Sequence, residues 1–193
     1  GGLNGLLAIL KEGVDPEEAQ ELISLSEEAS RNILEEIQLH RQIRDAERGD
    51  LQVNVEPVNS LQFIESAIGK IKSHEAGKNK NVVISENCPN VFFETDRLLF
   101  QRVIINILKN ALEATPPGGV VIAGIESVGV NIRFWVKNDT VIPENVQIQL
   151  FQRSFSTKGQ GRGIGTYSIK MLTENYLHGK VSFISNDTEG TVF

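Results

Sequence analysis

The chain has 193 residues, 40% of them hydrophobic, and a formal net charge of −6. That acidic balance argues against a broad nucleic-acid-binding face, and a single cysteine, Cys88, excludes an internal disulfide framework and a multi-cysteine metal site. No apolar run approaches the ~20 residues that cross a bilayer and no signal peptide is visible, so this segment is expected to be cytosolic and to make no membrane contact of its own. Cys88 itself reads as a small buried apolar side chain.

Residues 1–48 carry a helical period almost throughout. Leu3, Leu6, Leu7 and Leu10 share one face of a first helix, and "EGVDPEE" interrupts it. Asp15 then offers an N-cap, Pro16 suits the first helical position, and Glu18 completes a capping box. In the second helix Leu22, Leu25, Ala29, Ile33, Ile37 and His40 trace one long seam, while Glu27, Arg31, Glu35 and Arg41 lie off it. Such a hairpin cannot bury its seam alone. Pairing with a second copy into a four-helix bundle is the economical solution, and packing on the chain's own C-terminal half is the alternative. The chain begins inside an apolar stripe and stops inside a strand-like one, as a fragment of a longer protein would.

From Leu51 the period changes. "LQVNV" alternates as a strand that Glu56-Pro57 should end. A helix is expected over Leu61–Ser73, short strands at "NVVIS" and "NVFFETD", and a strongly apolar helix over Arg97–Ala114. "GGVVIAGIES" and "VGVNIRFWVKN" make a hairpin about a turn at Ser127–Gly129. A loop-rich stretch leads to a helix through Ile169 to Tyr176, and "KVSFIS" and "GTVF" read as closing strands. The fold class is α+β: a two-helix hairpin, then an α/β layer sandwich with helices over one sheet.

Gly159, Gly161, Gly163 and Gly165 alternate in "STKGQGRGIGTYSIK". Bare backbone of this kind approaches a ligand closely, and the first N–H groups of the helix that follows favour anions. Lys158 and Arg162 add positive charge, so the stretch reads as a phosphate cradle, although a flexible surface loop has the same composition. Asn106 and Asn110 in "NILKNALEAT" share one face of an apolar helix and must find polar partners. An asparagine carbonyl suits Mg²⁺, and a bond to neighbouring backbone is the alternative. Asn138 and Asp139 stand at a strand end, where ligand-contacting polar groups commonly sit; beyond them, Phe151 and Phe155 could anchor a lid that carries Lys158.

Taken in order, these stretches resemble a sensor histidine kinase of two-component systems, and more broadly the Bergerat-fold ATPases that include Hsp90, MutL and type II topoisomerases. Residues 1–48 resemble the dimerisation and phosphotransfer hairpin, and 51–193 the ATP-binding domain. "NILKNALEAT" matches the N box, "LFQRSFSTKG" the F box, "GRGIGTYSIK" the second glycine box and "EGTVF" the final Gly-Thr element. The resemblance implies ATP and Mg²⁺ as cofactors, with Asn110 the metal ligand and Asn106 in support. It implies that Gly161, Gly163 and Gly165 bind phosphates, that Lys158 reaches the γ-phosphate, and that Thr191 helps to fix the adenine. The first glycine box of the family reads Asp-x-Gly-x-Gly; here "NDTVIP" has neither glycine, and Asn138 aligns with the Asp while Asp139 is one residue off.

The expected activity is phosphorylation of a histidine on the hairpin by Mg-ATP, followed by transfer to an aspartate of a response-regulator receiver domain. The family's acceptor motif would place that histidine just upstream of Gly1, so no catalytic residue is assigned within the chain. His40, His74 and His178 all lack the family's context for it. The expected assembly is a homodimer through the hairpin, cytoplasmic and tethered to a sensor or membrane segment upstream. A degenerate kinase that docks partners without turnover is the second reading, supported by the altered glycine box. A clamp ATPase fits less well, because Asn106 occupies the position of its glutamate base. A serine or threonine kinase of the same superfamily fits the hairpin less well.

Overall fold

The computed structural model describes residues 15–72, 75–77, 79–153 and 164–193. It divides into two units, 1–51 and 52–193. In the first, helix α1 runs Pro16–Arg48. Asp15 caps it by accepting from the Glu17 N–H at 3.4 Å, and Gly49 ends it at φ +79° with N–H bonds back to Ala46 and Asp45 carbonyls. Leu25, Ile33 and Ile37 of the expected seam are 57%, 58% and 49% exposed. The helix expected from Leu3, Leu6, Leu7 and Leu10 lies outside the described residues.

The second unit begins with β1, Val55–Asn59. The strand expected at "LQVNV" therefore starts four residues later and runs through Pro57 rather than ending there. Among the described residues its one partner is β3 (Phe92–Asp96), in an antiparallel two-stranded sheet. An edge strand of this kind is where a proline is tolerated. Helix α2 spans Ser60–Lys72, a 3₁₀ turn Glu75–Gly77, and β2 Asn81–Ile84.

Helix α3 occupies Arg97–Ala114. Asp96 caps it, accepting from Leu99 N–H at 2.9 Å and from Asn54 N–H at 2.8 Å. Leu99, Val103, Ile104, Ile107, Leu108, Ala111 and Leu112 form its buried face. At its far end Lys80 Nζ donates to Leu112 O at 2.6 Å and Thr115 Oγ1 to Ala111 O at 2.7 Å, each a second bond beside that from the Thr115 N–H.

The main sheet has five strands in the order β2-β4-β5-β7-β6, where β4 is Val120–Val128, β5 Asn131–Asn138, β6 Ile184–Asn186 and β7 Gly190–Val192. The β2–β4 pair is parallel and the others antiparallel. The β4–β5 turn lies at Gly129–Val130, one step past the expected Ser127–Gly129, because Gly129 alone supplies the positive φ (+62°) that a two-residue hairpin needs. The β6 strand is shorter than "KVSFIS" and shifted toward its turn, since β7 offers it only three residues to pair with.

One sheet face carries the helices. Phe134 of β5 meets Phe63 of α2 at 5.8 Å and Phe100 of α3 at 4.9 Å, and Phe93 joins both helix rings. On the opposite face the Trp135 ring lies over Gly124, leaving no room for a Cβ there. A short helix α4, Glu144–Gln147, follows β5, and α5 spans Gly165–Met171. The helix expected through Tyr176 is not α-helical to its end: Leu172–Tyr176 widens into a π turn, closed by Leu177 N–H on Leu172 O at 3.0 Å. Cys88 is partly rather than fully buried. Its Sγ donates to Ser85 O at 3.2 Å and accepts from Ile125 N–H at 3.3 Å, so it links two segments instead of filling a gap.

Candidate nucleotide site

Two aromatic and hydroxyl contacts set how α3 lies along β5. Phe100 meets Phe134 near the start of both, and Thr140 Oγ1, just past β5, donates to Ala114 O at the end of α3 at 2.9 Å. Helix and strand thus run the same way. Four strand residues from Phe134 to Asn138 advance ~13 Å, which matches about nine helical residues. Asn138 therefore stands level with the turn of α3 that carries Asn106 and Asn110. By the two-residue alternation of a strand, Asn138 shares the helix-facing side with Phe134 and Val136.

Asn106 Nδ2 donates to Ser168 Oγ at 3.3 Å, and Ser168 Oγ donates to Gly165 O at 2.7 Å. The start of α5 is thereby tied to α3, and Gly165 is brought to the asparagine stripe. A Cβ at Gly165 would meet nothing within 4 Å, so packing does not require glycine there. Among the described residues no side chain caps the N-terminus of α5. Asn110, one turn beyond Asn106, has a buried Nδ2 with no partner among the described residues. Arg102, one turn before Asn106, continues the stripe; partial desolvation lowers its pKa from the ordinary arginine value.

The β5 end is fixed by hydroxyls rather than glycines. Asn138 pairs with Thr191 across β5–β7. Thr191 Oγ1 donates to Thr140 O at 2.6 Å and shares a 2.7 Å bond with Ser185 Oγ. Ser185 Oγ accepts from Ile142 N–H at 2.8 Å, and Gln147 Nε2 donates to Ile142 O at 2.7 Å. Gly190, at φ +71°, lets β7 close on this loop: a Cβ there would strike Asn138 O and the Asp139 backbone. Asn138 is 4% exposed, and its Nδ2 has no acceptor among the described residues. Asp139 is exposed, so of the two only Asn138 is enclosed.

Of the residues singled out from sequence, the structure ties Asn106 to the start of α5 at Gly165 through Ser168 and pairs Asn138 with Thr191 at the end of β5, with Asn110 one turn along α3 from Asn106. Lys158, Gly161 and Gly163 lie outside the described residues, as does Phe155. Phe151 packs on Phe183 at 5.8 Å and Phe193 at 6.4 Å, with Lys170 Nζ 5.7 Å from its ring centre. Sequence reading missed Ser168, Ser185 and Thr140. Ser185 stands at the end of the strand-like "KVSFIS" and Thr140 in "NDTVIP", where nothing local marks either hydroxyl. Among the described residues no group of three or more His, Cys, Asp or Glu side chains could hold a metal. A cation here would rest on amide and phosphate oxygens, the Asn110 carbonyl among them, while the unmet Asn110 Nδ2 is a donor that a phosphate oxygen would satisfy.

Residues 95–193 match the family of histidine kinase-, DNA gyrase B- and HSP90-like ATPases. The chain belongs to that family. Among its relatives, the heme sensor protein HssS of Staphylococcus haemolyticus (strain JCSC1435) is 24% identical over 201 residues, covering 99% of this chain and 42% of HssS. This ATPase-family chain thus spans less than half the length of that relative. Among solved structures, the catalytic domain of histidine kinase ThkA is 26% identical, with a TM-score of 0.64 over 72% of this chain and 92% of that domain. ThkA in complex with the response regulator protein TrrA superposes with a TM-score of 0.69 at 22% identity, over 100% of this chain and 55% of that one. The α+β architecture, helical N-terminal part followed by a Bergerat-type sandwich, is the one these kinases share. No helix among the described residues is long and apolar enough to cross a membrane.

Proposed function

We propose that this chain is the core of a histidine protein kinase that binds Mg-ATP, phosphorylates a histidine on its hairpin and passes the phosphoryl group to an aspartate of a response-regulator receiver domain. The observation that supports the reading is the unmet Asn110 Nδ2, a donor placed to meet a phosphate oxygen, one turn from the Asn106–Ser168 tie to the glycine-led helix; the enclosed Asn138 at the end of β5 is consistent with it. In this reading Asn110 holds Mg²⁺ through its carbonyl and Asn106 keeps α5 in place. Gly161, Gly163 and Gly165 offer backbone N–H groups to phosphate oxygens and Lys158 adds a cation. Asn138, backed by Thr191, faces the adenine. A bound Mg²⁺ neutralises charge on the β- and γ-phosphates. The chain's own work is to orient the nucleotide and exclude water, which supplies most of what phosphoryl transfer needs.

The acceptor is a histidine upstream of Gly1. His40 and His178 are both exposed, and His178 sits at φ +53° in a turn; His74 is outside the described residues. The receiver partner is supported by the ThkA–TrrA complex, and the dimer by the exposed seam of α1. The segment would act in the cytoplasm.

Titration of the chain with ATP, with and without Mg²⁺, tests the site. Saturable binding that depends on Mg²⁺ is expected. In protein extended upstream of Gly1, the label from γ-phosphate should appear on histidine in an acid-labile, base-stable form. Absence of Mg²⁺-dependent affinity would favour the docking module, the reading that the glycine-free "NDTVIP" loop supports.

A further inference from the structure

Asn138 presents a problem of supply. Its Nδ2 is a buried donor without an acceptor among the described residues, and a buried amide donor must be met or it destabilises the fold. The nearby polar groups are already engaged. Thr140 O takes the Thr191 hydroxyl, Ser185 Oγ takes Ile142 N–H and bonds Thr191, and Gln147 Nε2 serves both Ile142 O and Ser185 O. Gly190 packs against the backbone on the other side and offers no side chain. The amide stands on the helix-facing side of β5, level with Asn110, so a ligand entering that junction is what can meet it.

Resting on the nucleotide reading above, we propose that Asn138 makes the base subsite accept 6-oxopurine triphosphates as well as ATP. A 6-aminopurine offers a donor at position 6 and an acceptor at N1. A 6-oxopurine offers the reverse, an acceptor at position 6 and a donor at N1. A carboxylate at this place only accepts, and its charge opposes a 6-oxo group. A primary amide carries one acceptor and one donor, and a half-turn of its terminal torsion exchanges them. In one orientation Asn138 accepts from the 6-amino group while donating to N1. In the other it donates to the 6-oxo oxygen while accepting from N1–H. Both arrangements satisfy Nδ2, and neither buries a charge.

The test is a pair of equilibrium titrations of this chain, with Mg-ATP and with Mg-ITP. The two nucleotides differ only at position 6 and in the N1 proton, so the extra amino group of guanine is not a variable. Dissociation constants within about tenfold of each other are expected, the scale of one neutral hydrogen bond exchanged for another. In Asn138→Asp the ratio should move by more than about tenfold toward ATP. A chain that binds ATP but takes ITP more than about tenfold worse overturns this inference and leaves the nucleotide reading standing. A folded chain that binds neither overturns both. The wild-type pair decides without the variant if a buried carboxylate prevents Asn138→Asp from folding.

Discussion

Two asparagines one turn apart on α3 illustrate how identical side chains divide labour. Asn106 spends its amide on Ser168 and holds two helices together, whereas Asn110 keeps a buried Nδ2 unmet. Replacement should separate them. Asn106→Ala should lower the unfolding free energy by about 0.5–1.5 kcal/mol, the worth of one internal hydrogen bond. Asn110→Ala removes a group whose burial without a partner costs about 1–3 kcal/mol, so the loss of packing is offset and the nucleotide-free protein should melt within a few degrees of wild type. What Asn110→Ala should lose is stabilisation by Mg-ATP, about 2.7 kcal/mol at a hundredfold excess over the dissociation constant. Thermal melts with and without Mg-ATP measure all of this. A large drop in the ligand-free melt of Asn110→Ala, with its ATP shift intact, would mark it as a structural amide.

Elements differ sharply in how much of them the sequence dictates. The α3 bounds follow from a capping Asp96 and an unbroken apolar stripe, both local properties, and expectation and structure agree at Arg97–Ala114. Strands β1 and β6 are different. Whether Val55–Asn59 pairs through Pro57 depends on its having one partner, and the extent of β6 depends on the length of β7; neither is written in the strand itself. The site divides in the same way. The Asn106–Asn110 stripe is legible from spacing, but the Thr140–Thr191–Ser185 hydroxyl chain joins residues far apart in sequence and appears only once the sheet is closed. The Phe63–Phe93–Phe100–Phe134 cluster was equally invisible, although it fixes how α2 and α3 sit on β5. Phe63 is 1% exposed at its centre. Phe63→Ala should therefore cost about 3–5 kcal/mol, read as a lowered urea midpoint, and should disturb the site through α3 even though it touches none of its residues.

At the scale of the whole molecule, the first unit offers surface that a lone chain would not leave bare. Leu25, Ile33, Leu34 and Ile37 on α1 are all more than a third exposed. Each large aliphatic side chain covered in an interface contributes about 1.5–3 kcal/mol, enough in aggregate to favour a second copy. Sedimentation equilibrium of the chain should give a dimer, and Ile33→Glu with Ile37→Glu should give a folded monomer with unchanged nucleotide affinity. A wild-type monomer at tens of micromolar would remove the bundle from the account.

The strand order β2-β4-β5-β7-β6 sets a schedule for synthesis. Residues Gly190–Val192 are made after every other strand, yet they slot between β5 and β6 and back the enclosed Asn138. Until they leave the ribosome, β6 lacks its sheet neighbour and Asn138 lacks the strand that pairs with it. Helices α2 and α3 can already settle on β2, β4 and β5. A nascent protein would thus pack its helices on the sheet before the end of β5 is closed, and the proposed nucleotide site would be the last part of the unit to form.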